Sequence, residues 1–413
     1  MPAEWEHHDA VWLGWEADAT PYYPVIVNLI KTLMPHVTVK VAANSGSLLQ
    51  SAKIYLSRNQ IDTSKIKFYT MPGDRYWIRD HGAAFLINDK GELGVADFVW
   101  NRCGYPQWLK YKYDNNLDSI TRYLGLSTES IKKTGRVDSL MAAAEGATIL
   151  TTDIIHEGGA IEVNGKGTLI LCEATVLDRN PDRSREQIEN EFKRVLGVTK
   201  IIWMKKGLVE DQLSKGGKFI SGKYFSAWGT GGHTDEFVRF ANSNTIMLAW
   251  ISEEEKDLNP LNKINYERMN ENLKILEQAK DQDGKPFSII KVPLPDLIVK
   301  KIVAAENVDY PTNFLDVEVS SFKISDAPKV GDTLLRVPAS SYLNYLVTNG
   351  LVILPTYIQA GSSKEKEEQV RIIFQKEFPN RQIVFIDAMP QNWEGGGIHC
   401  STQQQPSLIK QLN

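Results

Sequence analysis

Five stretches of this chain carry apolar residues at helical spacing, and most lead within several residues into a β-rich run, an alternation that admits few architectures. The helical stretches centre on Ile26, Leu29, Ile30 and Leu33; on Leu117, Ile120 and Leu124; on Ile188, Phe192 and Val195; on Tyr266, Met269, Leu273 and Leu276; and on Val370, Ile373 and Phe374. Boundary residues agree with this spacing. Ser184, with Gln187 three residues on, forms a capping-box pattern ahead of the third helix, which ends before Gly197; Ser362 with Glu365 stands in the same relation to the fifth. The β-rich runs cover 37–43, 200–204, 287–294 and 382–388, and further strand candidates lie at 83–88, 161–163, 168–172, 236–240, 245–250 and 351–355. The unit returns at intervals of about 80 residues, which predicts stacked or radial repetition of a mixed strand–helix element. A doubly wound sheet is the alternative, because α/β proteins in general alternate the two element types.

Length alone, 413 residues, permits two or three domains and does not decide their number. A formal net charge of -4 gives no electrostatic reason to expect nucleic acid or an anionic membrane, so the expected partner is a small molecule. No apolar run approaches the roughly 18 residues of a membrane span. The start, Met1 to Ala10, carries acids and histidines where a signal sequence would be basic and then apolar, and the chain as given reads as cytoplasmic. Three cysteines, Cys103, Cys172 and Cys400, make neither an even-numbered disulfide framework nor a CxxC zinc pair. Charge-rich stretches at 252–257 and 364–368 read as solvated loops and helix starts.

Chemistry concentrates in four places. The run Trp393-Glu394-Gly395-Gly396-Gly397-Ile398-His399-Cys400 follows a predicted strand, and its glycines suit a backbone that a ligand approaches closely, which makes Cys400 a candidate nucleophile. Within Gly231-Gly232-His233-Thr234-Asp235, the start of a predicted strand would put the His233 imidazole and the Asp235 carboxylate on one face. Trp77-Ile78-Arg79-Asp80-His81-Gly82 and His156-Glu157-Gly158-Gly159 add two carboxylates, Asp80 and Glu157, each beside glycine at the edge of a strand-like run. Taken singly, each carboxylate reads equally as a turn residue capping backbone N–H groups. The other histidines show no HExxH-type ligand spacing, so no metal is expected.

Taken in order, Arg79-Asp80, Glu157-Gly158-Gly159, His233-Thr234-Asp235 and Cys400 resemble the guanidine-modifying superfamily, and within it the agmatine deiminase and bacterial peptidylarginine deiminase branch. Met1-Pro2-Ala3-Glu4-Trp5-Glu6, Arg179-Asn180-Pro181, Pro338-Ala339-Ser340-Ser341-Tyr342-Leu343-Asn344 and His399-Cys400-Ser401-Thr402-Gln403-Gln404-Gln405-Pro406 extend the likeness over nearly the whole chain. The resemblance implies one catalytic domain over 1–413, a five-bladed pseudo-symmetric α/β propeller of the pentein type with its site on the central axis. It implies, further, that Asp80 and Asp235 bind a guanidinium group, that Cys400 attacks it, and that His233, partnered by Glu157, moves the protons. Trp77, Gly396 and Gly397 are then expected among the substrate contacts, with no cofactor. Deimination of agmatine is the expected activity, with free or peptidyl arginine as the alternative substrate and a non-catalytic guanidine-binding protein as the remaining one. Oligomeric state is not legible in one chain, a homodimer being compatible with it.

Two departures from the branch's usual pattern bear on substrate. The residues before the histidine are Trp228-Gly229-Thr230-Gly231-Gly232, without the acids expected there, and Glu394 and Gly397 stand where Gly and Asn are more usual. Lys205, Lys206, Lys215, Lys218 and Lys223 make the preceding segment basic; solvated surface is the expected reading, a carboxylate-bearing substrate the other.

Overall fold

A computed structural model of the chain describes residues 1–408 apart from Pro311 and Phe314. The last five residues of the expected 1–413 unit thus lie outside the described residues.

One strand pattern occurs five times. A middle strand pairs antiparallel with one neighbour and parallel with the other: Leu93–Val99 between Ala84–Ile87 and Thr148–Ile155, then Thr168–Cys172 between Glu162–Val163 and Lys200–Met204. Thr245–Trp250 repeats it between Val238–Asn242 and Ser288–Pro293, and Leu351–Pro355 between Leu346–Thr348 and Gln382–Ile386. The fifth unit closes the ring through the two ends of the chain, since His8–Trp15 pairs antiparallel with Thr402–Pro406 and parallel with Thr38–Ala43. The fold is therefore the five-bladed α/β propeller, and the doubly wound sheet is excluded. Parallel pairs need a crossover, which is why each blade carries helix between its middle and outer strands.

Four of the five predicted helices are those crossovers: Tyr23–Leu33, Arg185–Leu196, Pro260–Gln278 and Lys364–Glu377. The capping box at Ser184 and Gln187 forms as read, and Gly197 ends that helix in the left-handed region at φ 68°. At the last helix the cap is Ser363, one residue later than read, while the Ser362 hydroxyl accepts from Asp296 N. The second predicted helix, Leu117–Thr134, exists but does not cover its blade, and its Leu117 and Leu126 are exposed. That role falls to Val137–Glu145, whose Val137, Met141 and Ala142 pack with Phe85 and Val95.

Two insertions break the repeat and join each other. Ser214–Ser221 and Tyr224–Gly229 come from one, Lys300–Ala305, Val317–Glu318 and Thr333–Arg336 from the other, and together they form an additional five-stranded sheet. Among the described residues no helix is long and apolar enough to cross a membrane.

Candidate active site

Short helical turns at the inner ends of the blades carry the chemistry. Ile78–His81, Gly158–Ala160 and Thr234–Glu236 come from different blades and meet at the axis. Glycine permits that meeting: a Cβ on Gly158 would lie 2.1 Å from Arg79 O, and one on Gly159 would lie 2.7, 2.8 and 3.1 Å from His233 Nδ1, Asp80 Oδ1 and Asp235 Oδ2. Gly159 N donates to Asp80 Oδ1 at 3.3 Å and Thr234 Oγ1 donates to Gly159 O at 3.2 Å, so the three turns are stitched together. Arg79 locks the Asp80 turn to the turn that carries Cys400, donating from its backbone N to Cys400 O (3.2 Å) and from Nε to His399 O (3.3 Å).

His233 and Asp235 do not sit on a strand as the alternation suggested. His233 is extended and Thr234–Glu236 turns as a 3-10 helix, with the strand beginning only at Val238. The turn nonetheless brings both side chains to the axis. His233 Nε2 meets Glu157 Oε2 at 3.3 Å, and its Nδ1 lies 3.5 Å from Asp80 Oδ1, an ion-pair distance without hydrogen-bond alignment. Burial disfavours the imidazolium, but Asp80, Glu157 and Asp235 outweigh it and push His233 up to about 9. Glu157 is itself fully buried; burial raises it, yet Arg179 and His233 hold it well below the usual carboxylate range. The Arg179 Nε to Glu157 Oε1 bond of 3.0 Å is what fixes that charge.

Cys400 is 5% exposed, enough to face the cavity. Asn344 Nδ2 donates to its Sγ at 3.0 Å and to Glu236 Oε1 at 2.8 Å, while the thiol points to Asp235 Oδ2 at 3.5 Å. Burial, then Asp235, Glu236 and Asp80, raise the thiol well above its ordinary value, with Asn344 opposing. Burial likewise raises Asp80, whereas Asp235, although buried, is held low by His399, His233 and Arg239.

These groups open on a cavity of about 520 Å³ lined by Cys400, Asp80, Trp77 and Gly396 among others. His233, Glu157 and Asp235 stand behind that wall. Gly396 is glycine because a Cβ would strike the Trp77 ring at 2.6 Å, and Gly397 because it would strike Asn344 Oδ1 at 2.6 Å; Gly397 therefore supports Asn344 and does not line the cavity. The second insertion and the first roof the site through Lys215, Trp228, Glu318 and Arg336, and Ser130, Ile131 and Thr134 of the Leu117–Thr134 helix form part of the rim. Glu394 pairs with Arg336 at 2.7 Å. Of the basic segment, Lys215 alone lines the cavity. Asp211 accepts from Thr230 N, Gly232 N and His233 N at 2.6, 3.0 and 2.9 Å, holding the glycine turn before His233 without itself lining the cavity.

Among the described residues, Asp235, Glu236 and Cys400 form the group able to hold a metal ion, with ligand atoms within 4.8 Å of one another. Two of the donor atoms are already engaged, the sulfur by Asn344 Nδ2 and Asp235 Oδ2 by His399 Nδ1. Sequence reading missed Asp211, Glu236, Asn344 and His399 as site residues. Asn344 and His399 stood within quoted motifs, but nothing local gave either a partner.

The sequence profile of the Porphyromonas-type peptidyl-arginine deiminase family matches residues 1–406. An agmatine deiminase of Pseudomonas aeruginosa (strain LESB58) is 27% identical over 99% of this chain and 96% of its own, and one of Stutzerimonas stutzeri (strain A1501) is 29% identical over 98% and 95%. Among solved structures, the agmatine deiminase of Enterococcus faecalis has a TM-score of 0.73 at 23% identity, covering 99% of this chain and 96% of that one. A C. jejuni agmatine deiminase with substrate bound has a TM-score of 0.65 at 20% identity, covering 98% and 96%. Fold, site and family profile together define the class, a hydrolase of amidine C–N bonds on a five-bladed α/β propeller. The chain belongs to the Porphyromonas-type peptidyl-arginine deiminase family.

Proposed function

We propose that this protein hydrolyses agmatine to N-carbamoylputrescine and ammonia through a covalent intermediate on Cys400. The observation that carries the reading is that Cys400 and Asp80 line one cavity while the His233 imidazole and the Asp235 carboxylate stand directly behind them, 3.5 Å from Asp80 Oδ1 and from the Cys400 sulfur respectively. The agmatine assignment is supported by relatives of that name over nearly the full chain.

The guanidinium group lies between Asp80 and Asp235, whose charges select the cation and fix its carbon. Its positive charge offsets the carboxylates that hold the thiol protonated, so the Cys400 proton leaves to solvent as substrate binds. The sulfur adds to the central carbon. His233, charged at neutral pH, gives a proton to the departing nitrogen, and ammonia leaves behind a thiouronium cation. The neutral imidazole then takes a proton from water, whose oxygen adds to the same carbon. As that adduct collapses the C–S bond breaks, the hydroxyl proton passes to sulfur, and the ureido product, the thiol and the imidazolium are restored. Glu157, anchored by Arg179, keeps the ring in register throughout. Residues 1–413 act as one catalytic unit on a small molecule in the cytoplasm, where the free Cys103, Cys172 and Cys400 stay reduced.

One observation favours a second reading, deimination of free or C-terminal arginine. Arg102 and Lys215 both line the cavity, and neither forms a carboxylate ion pair among the described residues. Asp18, Asp316 and Glu318, which also line the cavity, suit the agmatine amine instead. Ammonia and ureido-product formation, measured in chelator across agmatine, arginine, an internal-arginine peptide and a C-terminal-arginine peptide, separates them. Agmatine turnover is expected, abolished in Cys400→Ser with guanidinium binding retained. Turnover of arginine or the C-terminal peptide alone would replace it by the second reading, and silence on all four would overturn both.

A further inference from the structure

His399, next to the nucleophile, has both ring nitrogens against carboxylates. Its Nδ1 is 2.7 Å from Asp235 Oδ2, and its Nε2 is 2.8 and 3.0 Å from the two oxygens of Glu4. The ring is fully buried. An ionised carboxylate only accepts, so two such partners are satisfied together only by a ring carrying a proton on each nitrogen. Glu4 is fixed in turn by Arg79 Nη1 at 3.2 Å, Arg239 Nη2 at 2.6 Å and Gln404 Nε2 at 3.0 Å. A chain of charge thus runs from the first turn of the protein to the carboxylate beside the Cys400 sulfur.

We propose that His399, held as a two-ended donor between Glu4 and Asp235, is the positioning residue that keeps Asp235 ionised and aimed at the substrate cation. The inference rests on the deiminase reading above. Asp235 is 1% exposed and shares its surroundings with Asp80, Glu236 and the Cys400 thiol, all of which oppose its charge; His233, Arg79 and Arg239 favour it from the remaining sides. Only His399 combines a direct hydrogen bond with that favourable charge, so its loss leaves a buried carboxylate facing three like or potential anions. Asp235 Oδ1, which has no hydrogen-bond partner among the described residues, is the oxygen left for the substrate.

Two substitutions divide the ring's functions. An Asn amide occupies the place of Nδ1 and still donates to Asp235, whereas a Gln amide takes the place of Nε2 and serves Glu4 instead. His399→Gln is expected to move the acid limb of kcat/KM upward by about one pH unit or more, so that the loss reaches roughly tenfold on that limb and recovers as pH rises, with kcat less affected. His399→Asn is expected to fall between it and the wild type. Equal, pH-independent losses in both, or an unshifted limb in His399→Gln, would overturn the proposal.

If neither variant folds, the ¹⁵N shifts of the seven histidines in the unsubstituted enzyme decide the matter. The His399 ring is expected to show a proton on each nitrogen, as its two carboxylate contacts require, and a ring with one bare nitrogen would overturn the assignment. Turnover by the unsubstituted enzyme tests the deiminase reading separately, so the two failures are distinguishable.

Discussion

At the residue scale, the site is a set of buried charges that control one another. Asp80 is the largest of the groups that raise His233, so removing its charge acts twice. Asp80→Asn is expected to weaken capture of the guanidinium, raising KM, and to lower His233; because the proposed mechanism has protonated His233 release ammonia, the alkaline limb of the rate profile is expected to move to lower pH. Steady-state kinetics from pH 6 to 10 check both effects, and a profile identical to wild type would leave Asp80 a turn residue. Gly159 offers a cleaner probe. Its added methyl would lie among His233, Asp80 and Asp235, at 2.7 to 3.1 Å, and touch nothing else so closely. Gly159→Ala should therefore cost roughly 100-fold or more in kcat/KM, as expected when reacting groups are displaced by about an ångström, while the thermal midpoint moves far less than activity.

Individual elements show where local signals suffice. Ser184 and Gln187 satisfy each other's backbone donors without help from the rest of the molecule, and that capping box forms as the sequence implied. Ser184→Ala is expected to cost about 1 kcal/mol in denaturant unfolding with unchanged kcat. The neighbouring case is subtler: Ser362 and Ser363 both match a cap pattern, and only the structure, in which Ser362 is taken up by Asp296, gives the cap to Ser363. Ser363→Ala should reproduce the helix loss, and a larger effect from Ser362→Ala would mean that the Asp296 loop matters more than the cap. For Leu117–Thr134, amphipathic spacing identified the helix but not its use. Periodicity says that one face is apolar; it does not say whether that face meets a sheet or the rim of a cavity.

For the whole molecule, the buried site couples stability to pH. His233 in the folded protein, at about 9, lies above its unfolded value near 6.5. Its contribution is complete below about pH 6.5 and is lost as pH rises through about 9. Glu157, held low, runs the other way, its contribution present above the unfolded carboxylate range and lost as acid reaches its depressed value. Thermal midpoints should accordingly decline between pH 7 and 9.5, and His233→Gln should flatten that decline; an unchanged slope would place the coupling elsewhere. The closure of the propeller through His8–Trp15 and Thr402–Pro406 places Glu4 and Cys400 within one network although they lie at opposite ends of the chain.

The sequence by itself determined the recurring strand–helix unit, the crossover helices and the residue types of Cys400, His233, Asp80, Asp235 and Glu157, because periodicity, caps and glycine neighbours are local properties. Gly158 and Gly159 were visible as glycines, but their reason, the approach of Arg79, His233 and Asp80 from other blades, was not. Only the tertiary structure decided which groups meet. Arg179 on Glu157, Asn344 on the sulfur, Asp211 under the histidine turn and His399 between two carboxylates are contacts between separate segments of the chain, and their energies depend on burial and distance that no local pattern encodes.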